Sequence, residues 1–329
     1  MTRFLLVGAG RIGKIHAENI VRSGRGILAY VIDSHAPAAQ ELAARWNSRV
    51  ATPQAPPWDE VDAVLVASST DTHAEWIERA AAAGKAVFCE KPLDLDIRRA
   101  ESCLEFVRRQ RTPLYMGFNR RYDPSFARLQ RDSRAGAIGR IETVHIISRD
   151  PSPPPVEYVA RSGGLFRDMM IHDLDMGRWL LGEEPVEVFA RGSALVSKEI
   201  GAAGDVDTAM VLLRTASGTL CQIANSRRCA FGYDQRIEVF GSEGSLSAGN
   251  QASTSVTLAS KDGFTTEPAL PFFLERYAAA YRLELEDFLN ALEGRQVELA
   301  TGEDGRKALK LADAAQESVS SGKAVRLTP

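Results

Sequence analysis

Long apolar runs are missing from this chain. None approaches the ~18 residues of a membrane-crossing helix, so no transmembrane segment is expected. Cysteine is scarce, and Cys89, Cys103, Cys221 and Cys229 show neither a C-x-x-C spacing nor an adjacent histidine. No metal site is therefore expected, and reduced thiols in the cytoplasm are the natural reading. An excess of positive charge is also lacking. The formal net charge of −3 gives no electrostatic case for a nucleic acid or an anionic membrane as partner. Arginine is dense from Arg98 to Arg140, but Glu101, Glu105, Asp123 and Asp132 are interspersed, which suits solvated helix faces and subunit contacts. No internal repeat is evident, and the first apolar strand begins too early for a signal peptide to precede it. What is present is 329 residues with 44% hydrophobic content, enough for two domains with cores of their own.

The N-terminal stretch carries the first specific signal. Phe4-Leu5-Leu6-Val7 is a strand-type run, followed directly by Gly8-Ala9-Gly10-Arg11-Ile12-Gly13 and by a helical segment from Lys14 to Val21. This is G-x-G-x-x-G in the strand–turn–helix setting that gives the pattern meaning. The first glycine allows the tight turn, the second lets the backbone approach a pyrophosphate, and the third lets the helix pack on the strand. The helix N-terminus, with Arg11 and Ile12 in its first turn, then offers free N–H groups to phosphate. A second strand, Ile27–Ile32, ends in Asp33, twenty residues after Gly13, where an acid would accept the ribose hydroxyls. Ser34, His35 and Ala36 follow it, with no arginine to take a 2′-phosphate, so NAD is the expected cofactor.

The first third continues as strand and helix in alternation. Val61–Ala67 reads as a buried strand, followed by the polar turn Ser68-Ser69-Thr70-Asp71-Thr72-His73. The helix Ala74–Ala83 stops at Gly84, and Ala86–Cys89 is the next strand, with Glu90-Lys91-Pro92 just beyond it. In an open parallel sheet ligands bind beyond the carboxyl ends of the strands. Ser68, Thr70, His73, Glu90 and Lys91 therefore point toward the cofactor edge. Thr112–Phe118 closes the domain. After residue 120 strand-like runs separated by Gly, Ser and Asn take over: Glu142–Ser148, Val186–Ala190, Thr208–Leu213, Thr219–Asn225, Gln235–Phe240 and Ser245–Ala248. The expected fold is α/β. A Rossmann domain at 1–120 precedes an α+β domain at 121–329 built on a large, mostly antiparallel sheet, and the last helices are able to pack back on the first domain. Pro151–Pro155 reads as a stiff extended loop.

The segment from Gly163 to Met176 is mostly apolar yet carries ionisable groups. On an α-helix Asp168, His172 and Asp175 would fall within about 60° of one another. Met169, Met170, Ile171, Leu174, Leu180 and Leu181 fill the other directions, so a helix at Met169–Leu181 should be largely buried on the sheet. A carboxylate one turn before a histidine can hold its ring for proton transfer. A helix with one solvated edge and a satisfied core histidine would look the same in sequence.

These residues resemble the glucose–fructose oxidoreductase/inositol dehydrogenase family over nearly the whole chain, and within it the inositol 2-dehydrogenase branch. The family-wide features are Gly8–Gly13 and Glu90-Lys91-Pro92. The branch features are Ser148-Arg149-Asp150-Pro151, the Gly163–Trp179 block, Asn225-Ser226-Arg227-Arg228 and Gly232–Gly241. The resemblance implies that Lys91 contacts the reacting hydroxyl and the nicotinamide side, that the bond before Pro92 is often cis, and that Asp168 and His172 form the catalytic pair with His172 as general base. It implies that Tyr233 contacts substrate and that Arg121 belongs to the substrate or cofactor edge. Arg149 and Asp150 would be near on the proline loop. It further implies a homotetramer assembled through the open face of the second domain's sheet. Met170 and Gly177 depart from the family's usual small polar residue and alanine, outside the catalytic set.

The chemistry that follows is oxidation of a secondary alcohol. NAD takes hydride, His172 takes the hydroxyl proton with Asp168 orienting its ring, and the Lys91 ammonium stabilises the developing alkoxide. The expected partner is a small-molecule polyol, myo-inositol first. Scyllo-inositol, glucose or galactose is the near alternative. A nicotinamide-nucleotide-sensing regulator is an alternative of another class, disfavoured because a sensor needs no base with an orienting acid.

Overall fold

Strands of the first unit read as unbroken apolar runs because they are covered on both faces. Phe4–Val7 and Ala63–Val66 are buried at every position. In the computed structural model, which describes residues 1–327, these belong to a six-stranded parallel sheet. Its strands are β1 (Thr2–Val7), β2 (Gly26–Ile32), β3 (Arg49–Val50), β4 (Ala63–Val66), β5 (Ala86–Glu90) and β6 (Leu114–Gly117), in the order β3-β2-β1-β4-β5-β6. Helices α1 (Arg11–Arg22), α2 (Ala36–Arg45), α3 (His73–Ala82) and α4 (Ile97–Gln110) connect them. The strand order reverses between β1 and β4, the crevice where dinucleotides bind in such sheets. This unit comprises Met1–Tyr122 and Ala280–Leu309. The late segment joins the core through Phe288, whose ring meets Phe4, Phe88 and Tyr115 at centroid distances of 5.5–6.1 Å.

The second unit comprises Asp123–Ala279 and the chain from Lys310 onward. Its sheet includes β7 (Ile141–Arg149), β8 (Pro185–Ser193), β9 (Thr208–Thr215), β10 (Leu220–Ser226), β11 (Asp234–Gly241) and β12 (Gly244–Ala248). A short strand, Val325–Arg326, adds to the β8 edge. The order β12-β11-β7-β10-β9-β8 is antiparallel throughout except for β7 with β10, which run parallel. Burial alternates along β9 and β11, the mark of a sheet with one face on a core and one face open. α7 (Ile171–Leu181) covers the core face against β7 and β10. A Cβ on Gly177 would stand 3.2 Å from Cys221 Sγ, so the departure from alanine brings this helix close to β10.

Two helices of this unit precede α7, one inside the arginine-dense stretch expected to supply solvated helix faces and one with no signal in the pattern. α5 (Pro124–Arg134) hides its apolar Phe126 and Leu129 among arginines, and its start is set by Asp123, which accepts the N–H groups of Ser125 and Phe126 at 3.1 Å. α6 (Val156–Ser162) follows the proline run, with Pro155 extended at its N-cap. An exposed hairpin, Thr257–Ser260 with Gly263–Thr266, was likewise not anticipated.

The expectation of a single helix carrying Asp168, His172 and Asp175 on one face does not hold. Leu165–Met169 is a π-type turn, closed by the Met170 N–H on Leu165 O at 2.9 Å, and α7 starts only after Met170. Asp168 therefore lies outside the α-helical register of His172. Asp175 is 1% exposed and lies 3.5 Å from the Arg178 guanidinium, which also binds Glu184. That makes it the buried partner of Arg178, whose other acid, Glu184, is half exposed.

Candidate active site

The glycine loop has the geometry that its spacing predicts. Gly8 sits at φ +103°, and a Cβ there would lie 2.4 Å from Ala67 O at the end of β4. A Cβ on Gly13 would lie 1.9 Å from Gly8 O, so only hydrogen lets α1 pack on the turn. Gly10, at the N-cap of α1, has open space where its Cβ would be, with exposed Arg11 and half-buried Ile12 following. Asp33 accepts the Ala9 N–H at 2.6 Å through one oxygen and the His35 N–H at 2.7 Å through the other. The carboxylate is thereby fixed beside the glycine turn. A bare helix N-terminus, a turn without a side-chain wall and an adjacent carboxylate fit the pyrophosphate and adenosine ribose of a dinucleotide.

The same unit brings together the other cofactor-edge candidates. Ser68 Oγ and Thr72 Oγ1 are 2.7 Å apart, and a short 3-10 turn at Thr70–Thr72 leads into α3. His73 opens that helix and is 1% exposed. Its Nδ1 lies 2.8 Å from Pro92 O and its Nε2 3.0 Å from Ser68 O. Burial pushes its pKa down, against the two carbonyls and the Glu90 charge, which pull it up. Glu90, 7% exposed, meets His16 Nε2 at 2.6 Å. The Lys91–Pro92 bond is cis, and Lys91 is half-buried at the end of β5. Arg121 donates to Asp304 at 3.1 Å and its side chain is 9% exposed, so an internal acid anchors it.

In the second unit Asp168 and His172 are both half-buried, one in the π-type turn and one in the first turn of α7. Asp168 accepts the Tyr158 hydroxyl at 3.0 Å and lies 3.4 Å from the Arg227 guanidinium. Sequence reasoning missed both partners. Arg227 was part of a noted motif, but nothing local ties it to Asp168, and Tyr158 sits on the unrecognised α6. Also missed was Asp173, 0% exposed, which accepts from Asn225 Nδ2 at 3.0 Å. Tyr233 is 5% exposed and packs edge-on against Phe272 and Tyr277 at 6.0 and 5.9 Å. Beneath it the Tyr277 hydroxyl donates to Gln235, which bonds Ser148. Arg149 donates to Asp234 at 2.8 Å, which ties the end of β7 to the start of β11. No group of three His, Cys, Asp or Glu side chains suited to a metal ion exists among the described residues. No described helix is long and apolar enough to cross a membrane.

Comparison with known proteins places these features in context. Residues 2–118 match the model of an oxidoreductase family with an NAD-binding Rossmann fold, and residues 126–247 match the GFO/IDH/MocA C-terminal domain. The inositol 2-dehydrogenase of Rhizobium meliloti (strain 1021) is 50% identical, with 96% of each chain covered. The myo-inositol 2-dehydrogenase of Thermotoga maritima is 45% identical over 99% of this chain and 98% of its own. The scyllo-inositol dehydrogenase of Lactobacillus casei, solved with NAD(H) and scyllo-inositol, superimposes with a TM-score of 0.91 at 30% identity, covering 99% of both chains. With its glycine turn, its Glu90-Lys91-Pro92 segment and both domains matched, the chain belongs to the glucose–fructose oxidoreductase/inositol dehydrogenase (GFO/IDH/MocA) family of NAD-dependent oxidoreductases.

Proposed function

We propose that this protein is an inositol 2-dehydrogenase that oxidises myo-inositol at its axial hydroxyl to the 2-keto product. Bound NAD supplies the hydride acceptor. His172, as a neutral imidazole, takes the hydroxyl proton, Asp168 orients it, and the Lys91 ammonium steadies the oxygen as it becomes negative. Tyr233 and Arg121 contact the ring hydroxyls. One observation carries the reading: the Asn225–Arg228 segment, which sets the inositol branch apart, also furnishes a partner for the proposed acid and one for the neighbour of the proposed base. Arg227 binds Asp168, and Asn225 binds Asp173, the residue next to His172. A site built from hydrogen-bonding groups rejects a ring that lacks one hydroxyl by leaving a buried partner unpaired.

NAD reduction with myo-inositol, scyllo-inositol, glucose and galactose, with the product identified by NMR, tests the substrate. The specificity constant for myo-inositol should exceed that for glucose by at least about tenfold, the effect of roughly 1.4 kcal/mol. A clear preference for any other member of the panel would overturn the myo-inositol reading. Cofactor choice is a separate test. Asp33 would repel a 2′-phosphate, so NAD should be preferred over NADP by at least about tenfold. Asp33→Ala should narrow that gap mainly by weakening NAD. Equal specificity constants for the two cofactors in the unmodified protein would contradict this role.

The reading extends to assembly and compartment. Phe189, Met210, Leu212 and Phe240 lie on the open face of the second unit's sheet and are 36–59% exposed. Such a face supports a homotetramer joined through it. All four cysteines are free and buried, and burial pushes the thiols of Cys89, Cys103 and Cys221 up, which suits unreactive residues in the reducing cytoplasm.

A further inference from the structure

Two of the chain's five histidines, His16 and His73, are each 1% exposed and touch the two sequence neighbours of Lys91. His16, on α1 behind the glycine turn, holds the Glu90 carboxylate at 2.6 Å. His73, at the start of α3, stands between two carbonyls, its Nδ1 2.8 Å from Pro92 O and its Nε2 3.0 Å from Ser68 O, and donates to one of them. We propose that His73, with His16 acting through Glu90 on the other flank, is a positioning residue that seats Lys91 relative to the segments that cradle the cofactor. The inference rests on the reading of Lys91 as the residue that steadies the reacting oxygen.

Neither histidine is built as a simple space-filler. A polar ring in a core is costly unless its nitrogens find partners, and an aromatic or aliphatic side chain would fill the same volume without that cost. The His16 ring stands edge-on to Phe88 and Tyr281 at 5.4 and 5.7 Å, and its Nδ1 has no hydrogen-bond partner, so its polar function is spent on Glu90 alone. Both nitrogens of His73 face carbonyl oxygens, which only accept. A neutral ring carries one N–H and donates to one carbonyl; only the imidazolium donates to both. The charged groups that bear on His73 are Glu90 and Lys91, and burial disfavours its charged form. The single N–H of the neutral ring is spent on one of these two backbone carbonyls, with the other in contact with the second nitrogen. Its contribution is to stand between the Ser68 turn and the backbone that carries Lys91, wedged between the two carbonyls and bonded to one of them.

Variants of His73 separate this role from bulk packing. His73→Phe keeps a ring but has no donor, whereas His73→Gln keeps a donor that can reach one carbonyl. Turnover of the polyol should fall at least about tenfold in His73→Phe, with the NAD dissociation constant changed less than about threefold, because the lost placement is felt in the reacting state. His73→Gln should recover to within about threefold of the unmodified protein. Should His73→Phe fail to fold, Glu90→Gln carries the test from the other flank, with a turnover loss of about threefold or more expected at unchanged thermal stability. Turnover within twofold of normal in folded His73→Phe, or in Glu90→Gln when that variant carries the test, would overturn the proposal. So would a loss that resides wholly in NAD affinity. Lys91→Ala measured alongside distinguishes the failures. If it retains turnover, the reading of Lys91 falls and the seat falls with it; if it is inactive while His73→Phe is near normal, the seat alone is wrong.

Discussion

Turnover of myo-inositol should drop by about 10²–10⁴-fold in His172→Ala, with NAD affinity nearly unchanged. The size follows from what is lost. A secondary alcohol is a very weak acid, and hydride cannot leave its carbon efficiently unless the hydroxyl proton is accepted in the same transition state. Alanine offers no acceptor, and a water molecule in its place is a poor base. NAD affinity should survive because the glycine turn and Asp33 belong to the first unit and His172 to the second. Asp168→Asn should cost less than His172→Ala, since the amide oxygen can still accept from Arg227 while its NH2 donates to the Tyr158 hydroxyl, although the charge is lost. The check is steady-state kinetics beside a fluorescence titration with NAD. Near-normal turnover in folded His172→Ala would remove the histidine from the mechanism.

Lys91→Ala should lower turnover by about 10²–10³-fold, comparable to removing one preorganised donor to a developing oxyanion. An ammonium in a water-poor site stabilises that charge far more than solvent does, and it needs no reorganisation at the moment of reaction. The informative readout is the division between kcat and KM. A loss confined to KM for the polyol would make Lys91 a group that holds substrate and transition state equally, and would take the stabilising role away from it.

Residues close in sequence made the first unit legible. Gly8, Gly13 and Asp33 belong to one strand–turn–helix–strand unit, and the reason for each glycine is a contact within about one helical turn or at the neighbouring strand end. Lys91 could be placed because strand ends define where ligands bind. The second unit was legible in its strands, where period-two burial shows directly. Its site was legible only in part. The link from Arg227 to Asp168 spans 59 residues, and that from Asn225 to Asp173 spans 52, so no local pattern announces either. Spacing also misled at one point. Asp168, His172 and Asp175 look like one helical face only if every turn is α-helical, and the sequence has no mark that distinguishes a π-type turn from an α-helical one. The contacts of His73 with the Pro92 and Ser68 carbonyls are a matter of tertiary folding that no local pattern announces.

The π-type turn at Leu165–Met169 makes this stretch a matter of counting. A loop that closes from residue 170 to residue 165 holds one residue more than an α-helical turn. Deleting Met169, the one residue of the turn that lies between the pair, would restore an α-helical count, yet would rotate Asp168 by about 100° relative to His172. The fold would gain regularity while the acid lost Tyr158 and Arg227 as partners. Side-chain identity alone thus does not define the geometry of Asp168 and His172; the length of the chain between them sets it as well. The exposed turn between Ser260 and Gly263 is under no such constraint, since neither strand it joins is buried at any position.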